Sequence, residues 1–596
     1  MKKMSKLLAI MLSLMLSLSF VVGCSGGGGG DVELDEEGNI RPSSGGKTVI
    51  TFWGYGDENE QAVFTNLVKD FNEINKGVIE VKYEPKPNQY TESARSALQS
   101  TKAKVDVLYV ADADFKGFAE MGYLEPLDDY LKTSKEVIID EMWETSVNRF
   151  KYDVKTTKQD TADAHYWGIP KDIGPTVIFY NETYFEYAGI TVISVYKDDL
   201  DDFNAGGKDA RGKTKAEYGI NGEVKEKGYF VLDGKKYFNN QVPMSWEECK
   251  DVAVLVQSAA RANGKDNAYG FFTEWWFNYG WSVGGDCIQY VESNDAQYNG
   301  GYWDFTLLDP TANYIVADNV TDGFTVNGNK YNAGEIISWQ DKLVDTKADS
   351  KTIRPEILTA KDNGILNQLP SQRDAFVEFL RVCQTDSSKI VDQDKKGYGI
   401  SPNPNSIGGD AAKSTAFTSG NLAMLVDGRW NVTNFRKVMK DKWDVAPLPQ
   451  YKEYDSEGNI TVHGIEAGHS GSVALCINAK SQKKNAAWKF AEYIGGKTGQ
   501  TKQAESGFAI PSQKDIAKSE VFLQSSQSPK NSIIFVRAAE IQTPGDWWYL
   551  RDKAWIDDWA GVLNGDVRNG KKTLSDFEKD SKYLGTWDKL KAYTEK

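Results

Sequence analysis

Between Thr48 and Trp53 the chain reads Thr-Val-Ile-Thr-Phe-Trp, a β-branched and aromatic run that predicts a strand. After Gly54-Tyr55-Gly56 the period changes: Phe64, Leu67, Val68 and Phe71 recur at i, i+3, i+4 and i+7, one face of a helix that Gly77 can close. Val78 to Tyr83 returns to alternation, a second strand. Val105 to Val110 is mostly apolar, which predicts a third strand covered on both faces. Phe115 to Met121 then reads as a short helix stopped by Gly122. Strands alternating with helices predict an open, mainly parallel α/β sheet, and such sheets bind ligands beyond the carboxyl ends of their strands. That rule singles out Trp53 and Tyr55 after the first strand, and Asp112 and Asp114 after the third.

The same grammar continues downstream. Tyr166 to Asp172 leads into the apolar run Thr176 to Asn181, read here as a crossing into a second lobe. A polar insertion follows from about 192 to 241. Leu232-Asp233-Gly234-Lys235 predicts a type I′ hairpin, as does Val326-Asn327-Gly328-Asn329. Ser245 with Glu248 forms a capping box ahead of a helix to about Gly264, and Ser371 caps another whose Phe376, Phe379, Leu380 and Cys383 share a face. Strands are expected over Leu422–Val426, Trp443–Leu448 and Ser472–Ile477. Ala487, Phe490, Ala491 and Ile494 mark a helix closed by Gly495-Gly496, and the tail from Lys514 is mostly helical.

Residues 1–23 do not belong to this pattern. Lys2, Lys3 and Lys6 precede an apolar run from Leu7 to Val22 that is short for a membrane span, so it reads as a signal peptide. Its end, Val21-Val22-Gly23-Cys24, resembles the lipobox of bacterial lipoproteins. That resemblance implies a diacylglyceryl group on Cys24 and attachment to the outer face of the cytoplasmic membrane, at the surface of a Gram-positive type of cell. Residues 24–46, rich in Gly, Ser, Asp and Glu, are expected to form a flexible tether.

Composition then removes several function classes. Acidic side chains outnumber basic ones 85 to 70, which argues against a nucleic-acid partner. The other cysteines, Cys249, Cys287, Cys383 and Cys476, lack zinc-site spacing; buried thiols are expected, with pairing left open. His165, His463 and His469 form no His-Glu-x-x-His motif, and no nucleophile elbow is present, so no metal or cofactor is expected. Asp455 to Asn459 lacks the later Glu of a calcium loop and reads as a hairpin turn.

Several segments, taken in order, resemble the family 1 extracellular solute-binding proteins. They are Ile50–Tyr55, Asp106–Tyr109 with Phe118–Leu127, Trp167–Pro170 with Phe179–Asn181, Phe417–Met424 with Gly428-Arg429-Trp430, Trp443–Pro449, and Ala486–Tyr493. The resemblance implies a two-lobed periplasmic-binding-protein fold of type II-like design, hinged between lobes. Lobe one would hold 47–165 plus 462–520, and lobe two 166–461 plus 521–596. Insertions near 192–241 and 291–370 are long for that family. The resemblance further implies a monomeric, non-enzymatic receptor that captures a carbohydrate, an oligosaccharide by its size, and delivers it to an ABC permease.

A sugar offers an apolar C–H face that lies on aromatic rings and hydroxyls that pair with charged and amide groups. The candidate contacts are Trp53, Tyr55, Asp112, Asp114, Lys171, Asp172, Glu274, Trp275, Trp276, Trp281, Arg429, Trp430, His469, Ser470, Trp547 and Trp548. Plainer roles compete: core packing for the aromatics, helix capping for Asp112 and Asp114, a surface ion pair for Lys171 and Asp172. Three other functions stay open at this level: a secreted glycoside hydrolase, a surface lectin, and a binder of another polar solute.

Overall fold

The computed structural model describes residues 30–591 apart from 42–45, 87–88, 157–160, 275–277, 293–295, 297–300, 339–343, 346–351, 408, 441, 472, 542–560 and 562. Cys24, Trp275, Trp276, Trp547 and Trp548 therefore lie outside the described residues. The strands that build the site are β1 (Thr48–Gly54), β2 (Ile79–Pro85), β3 (Val107–Ala111), β4 (Ile169–Pro170), β5 (Gly174–Asn181), β6 (Tyr269–Phe272), β7 (Leu422–Gly428), β8 (Trp443–Ala446), β9 (Ser470–Gly471) and β10 (Val473–Ile477). The helices are α1 (Glu58–Ile74), α2 (Asp112–Glu120), α3 (Trp246–Ala262), α4 (Asp410–Thr418), α5 (Val432–Met439), α6 (Lys484–Gly495), α7 (Lys497–Ser506) and α8 (Ile533–Glu540).

Two five-stranded sheets make the two lobes. The first has the order β2-β1-β3-β10-β4; the second has β6-β7-β5-β8, with β9 pairing the start of β5. Each is mixed rather than mainly parallel. β1 runs parallel to β2 and β3, but β10 is antiparallel to β3 and β4. In the second sheet β6 and β7 are parallel, whereas β5 opposes both β7 and β8. The opposed strands β5 and β10 are the ones that arrive directly from the other lobe, without a crossover helix to turn them round.

The chain crosses between the sheets at Lys171-Asp172-Ile173, between β4 and β5, and returns between β9 and β10. The crossing thus begins after Pro170, later than the expected 166, because Ile169–Pro170 pairs with β10 in the first sheet. Toward the end of lobe one the two cores interleave: Phe508 and Ala509 pack with Phe52, whereas Ala504, Ile510, Ile516 and Ala517 pack with Phe179 and Val445 of lobe two. Phe52, Phe64, Phe71, Tyr109 and Phe490 anchor the first core, with Phe52 and Phe490 rings 5.0 Å apart.

Local chemistry sets many of the boundaries. Asp57 caps α1, accepting from the Glu60 amide. Ser245 and Glu248 close a capping box on α3, and Ser371 caps the helix Gln372–Cys383. Both hairpins form, with Asp233 and Gly234 at φ 50° and 74°, and Asn327 and Gly328 at 50° and 82°. The Asp455–Asn459 segment is a hairpin turn in which the Asp455 carboxylate accepts from the Glu457 and Asn459 amides. The insertion after β5 carries its own small core of Ile193, Val195, Phe203, Val224 and Tyr237. Cys249, Cys287, Cys383 and Cys476 are buried free thiols. Among the described residues no helix is long and apolar enough to cross a membrane.

Candidate functional site

The carboxyl end of β1 opens into Tyr55-Gly56-Asp57 and the first turn of α1, and that of β3 opens into α2. Across from them, β7 ends in Gly428-Arg429-Trp430 and leads into α5. Between these ends lies a cleft of about 580 Å³, floored by the crossing residues. Lobe one contributes Tyr55, Asp57, Glu60 and Asp112; lobe two contributes Ser414, Trp430, Asn431 and Asn434; Lys171 and Asp172 lie between.

Lys171 is 5 % exposed. Its ammonium pairs with Asp172 and lies 3.1 Å from Glu60 Oε1. The rings of Phe64, Tyr109 and Phe508 surround it at 5.5 to 5.6 Å. Sequence reading favoured a surface ion pair for Lys171 and Asp172; the structure instead buries a three-membered charge cluster on the cleft floor. Burial, with the Asp172 charge, pushes the Glu60 carboxyl up to about 7, against the pull of Lys171. The two carboxylates hold the Lys171 ammonium above its ordinary range despite its burial. Asp112 accepts from Arg149 Nη1 at 2.5 Å, a nearly buried pair at the cleft edge.

The aromatic side of the cleft is Tyr55 and Trp430. Tyr55 packs on Tyr90 at 4.7 Å and edge-on against Tyr109 at 5.7 Å, which fixes its plane. Trp430 follows a strand of lobe two yet is half-buried against the core of lobe one. Gly428 makes that pose possible: a Cβ there would meet Trp430 Cζ3 at 1.9 Å. The Trp430 indole N–H is buried with no hydrogen-bond partner among the described residues, a donor that a polar guest would satisfy.

The remaining expected residues sort differently. Asp114 lies in an adjoining pocket with Tyr55, Tyr90 and Thr91, where its carboxylate accepts from Thr91 Oγ1 at 3.3 Å. Glu274 pairs with Lys413 on α4, the helix that gives Ser414 to the cleft. Trp53 is still within β1, so its ring lies on a sheet face; Nε1 donates to Glu84 and Lys86 sits 4.6 Å over the ring. Trp281 is 0 % exposed in the lobe-two core, donating to Asp286 at 3.0 Å, and offers no plate to a ligand. Arg429 lines the cleft only through its course along the chain. Its guanidinium, in a residue 1 % exposed, turns into lobe two to donate to Gly507 O, Phe522 O and Ser532 Oγ. His469 borders a separate cavity with Thr176, Tyr196 and Arg537. Burial, then the charges of Arg149 and Lys413, hold its imidazole down at about 3, so it is neutral at physiological pH. Ser470 is buried in the β9 pairing with β5.

Sequence reading missed Asp57, Asn59, Glu60, Ser414, Asn431, Asn434 and Phe508. Glu60 was within reach: it sits in the first turn of α1, three residues past the Asp57 cap that follows β1. Ser414, Asn434 and Phe508 come to the cleft only through packing between distant segments, which leaves no local signal.

Comparison with known proteins agrees with this architecture. A profile described as bacterial extracellular solute-binding protein matches residues 66–268 and 329–530. An arabinooligosaccharide-binding protein of Halalkalibacterium halodurans is 26 % identical over 177 residues, 29 % of this chain and only 36 % of that relative's length. The ABC substrate-binding protein Lmo0181 of Listeria monocytogenes, solved with cycloalternan, superposes with a TM-score of 0.55 at 15 % identity, covering 91 % of this chain and 98 % of that one. The GacH receptor of Streptomyces glaucescens, solved unliganded and with acarbose, gives 0.53 at 16 % identity, covering 92 % and 99 %.

Proposed function

Because the chain belongs to the bacterial extracellular solute-binding proteins, we propose that it is the extracytoplasmic receptor of an ABC importer and grips an oligosaccharide between its lobes. The observation that carries this reading is a cleft whose walls come from both sheets and combine aromatic plates, Tyr55 and Trp430, with charged and amide groups. Stacking on the plates and hydroxyl pairing with Asp57, Asn59, Asn431 and Asn434 meet the two kinds of surface a sugar presents. The ligands named for the relatives, arabinooligosaccharide, cycloalternan and acarbose, are of this class. In this reading the protein is a monomeric receptor and not an enzyme. It is held at the outer face of the cytoplasmic membrane by lipid on Cys24 and hands its ligand to permease subunits.

A ligand that touches both walls binds the closed arrangement better than the open one, and only that difference can shift the equilibrium. Isothermal titration calorimetry against linear and cyclic neutral oligosaccharides is expected to give a one-to-one isotherm with at least one of them, and the recovered sugar is expected to be uncleaved. No heat from any member of the panel would remove the sugar assignment. Shortened products would replace the receptor by a hydrolase.

A further inference from the structure

The expected tether is not free along its whole length. Residues 30–41 lie on lobe one as a strap. Val32 is 3 % exposed and joins the core that contains Phe52 and Phe64. Leu34 and Ile40 pair across a tight turn and pack on the same core. The turn between them is held by the Asp35 carboxylate, which accepts from the Glu37 and Asn39 amides at 2.9 and 2.8 Å.

The strongest contact is at the start of α6. That helix has no cap of its own, since Lys483 stands at the capping position. The Asp31 carboxylate supplies the cap from a distance, accepting from the amides of Asn485 at 2.9 Å and Ala486 at 3.0 Å. The Asn485 side chain donates back to Val32 O at 2.8 Å, and Thr48 Oγ1 donates to Gly30 O at 2.6 Å. Lys135 lies 3.6 Å from Glu37 at the far end of the strap.

We propose that this strap sets which side of the protein faces the membrane: the lobe-one surface around the first turn of α6 is held against the lipid surface. The inference rests on the lipid-anchor reading of Cys24. With Asp31 fixed on α6, the seven residue steps from Cys24 span at most about 25 Å. Were the strap undocked as far as Lys47, the reach would be about 80 Å and the body would tumble freely about its anchor. Docking therefore turns a long leash into a short one and presents the lobes to a membrane partner in a restricted orientation.

The test uses the mature, lipidated protein on vesicles that carry an acceptor dye on their headgroups. Donor dyes are placed at Glu36→Cys, on the exposed strap turn, and at Lys235→Cys, on the exposed hairpin of lobe two. The four native thiols of the folded body are buried, so the introduced cysteine takes the label. Energy transfer is expected to be strong from position 36 and weak from position 235. Asp31→Ala should narrow that gap and speed hydrogen exchange at the amides of Asn485 and Ala486 by about fivefold or more, while Asp31→Asn, which keeps an acceptor, should leave both readings near wild type. Equal transfer from the two positions, or exchange unchanged in Asp31→Ala, would overturn the proposal. A mature protein without lipid by mass spectrometry, which stays off the vesicles, would instead overturn the anchor reading and the membrane orientation with it; exchange then still reports whether the strap is docked.

Discussion

Lys171→Met is expected to destabilise the protein by about 3 to 5 kcal/mol, the usual consequence of removing one partner from a buried ion cluster. The methionine fills similar space, so the loss isolates the charge. Glu60 and Asp172 would then face each other across a cleft floor ringed by Phe64, Tyr109 and Phe508, with no cation between them. The loss should depend on pH in a defined direction. Glu60 already titrates near 7 in the folded protein, above its ordinary 4.5, chiefly through burial. A carboxyl raised on folding binds its proton more tightly in the native state, so its contribution to stability falls as pH rises from 4.5 through 7. Without Lys171, whose charge pulls the Glu60 pKa down, the carboxyl is raised further and that fall extends to higher pH. The deficit of the variant should be smaller at pH 5, where Glu60 can be neutral, than at pH 8. Calorimetric unfolding of both proteins at the two pH values measures it. A deficit that is equal at pH 5 and pH 8 would mean that the cluster is solvated and that the floor is not built as described.

Trp430→Ala is expected to weaken oligosaccharide binding by about 10- to 100-fold, or roughly 1.4 to 2.7 kcal/mol. Two losses combine: the aromatic plate on which a C–H face lies, and an indole donor that has no partner among the described residues. Trp430→Phe keeps the first and removes the second, so it should fall between. Gly428 lets the ring reach from lobe two onto lobe one, so the plate is also part of the contact that the lobes share. Titration calorimetry with a sugar identified for the wild type decides the matter. Wild-type affinity in Trp430→Ala would place the guest elsewhere, and the cavity of Tyr196, Arg537 and His469 would be the next place to look.

Much of the fold was legible residue by residue. Features governed by a few neighbouring positions came through: the helical stripe of Phe64 to Phe71, the capping box at Ser245, the two left-handed turns at Asp233-Gly234 and Asn327-Gly328. Strand direction was not legible, because β5 and β10 take their sense from the lobe they arrive from, which no local pattern encodes. The site was half legible. The rule that ligands lie beyond strand ends led to Tyr55 and Asp112, and the family resemblance to Trp430; all three line the cleft. It overshot at Trp53, where β1 runs one residue further than the apolar pattern indicates. Trp281 and Arg429 misled because a large amphipathic side chain in a Gly-rich segment looks the same whether it turns inward or outward. Their inward partners, Asp286 for one and the carbonyls of Gly507 and Phe522 for the other, lie in the folded surroundings. The strap misled for the same reason: three apolar residues in a Gly- and acid-rich stretch bury little by themselves, and Val32, Leu34 and Ile40 find their core only once α6 has formed beneath them.

The claim beneath all of this is that one guest touches both lobes at once. Small-angle X-ray scattering of the protein with and without a bound oligosaccharide tests it most directly. The account predicts a smaller radius of gyration with ligand, and the same radius with and without sugar in a variant that cannot bind. A tightly bound sugar that leaves the scattering curve of the wild type unchanged would place the guest on a single lobe and contradict it.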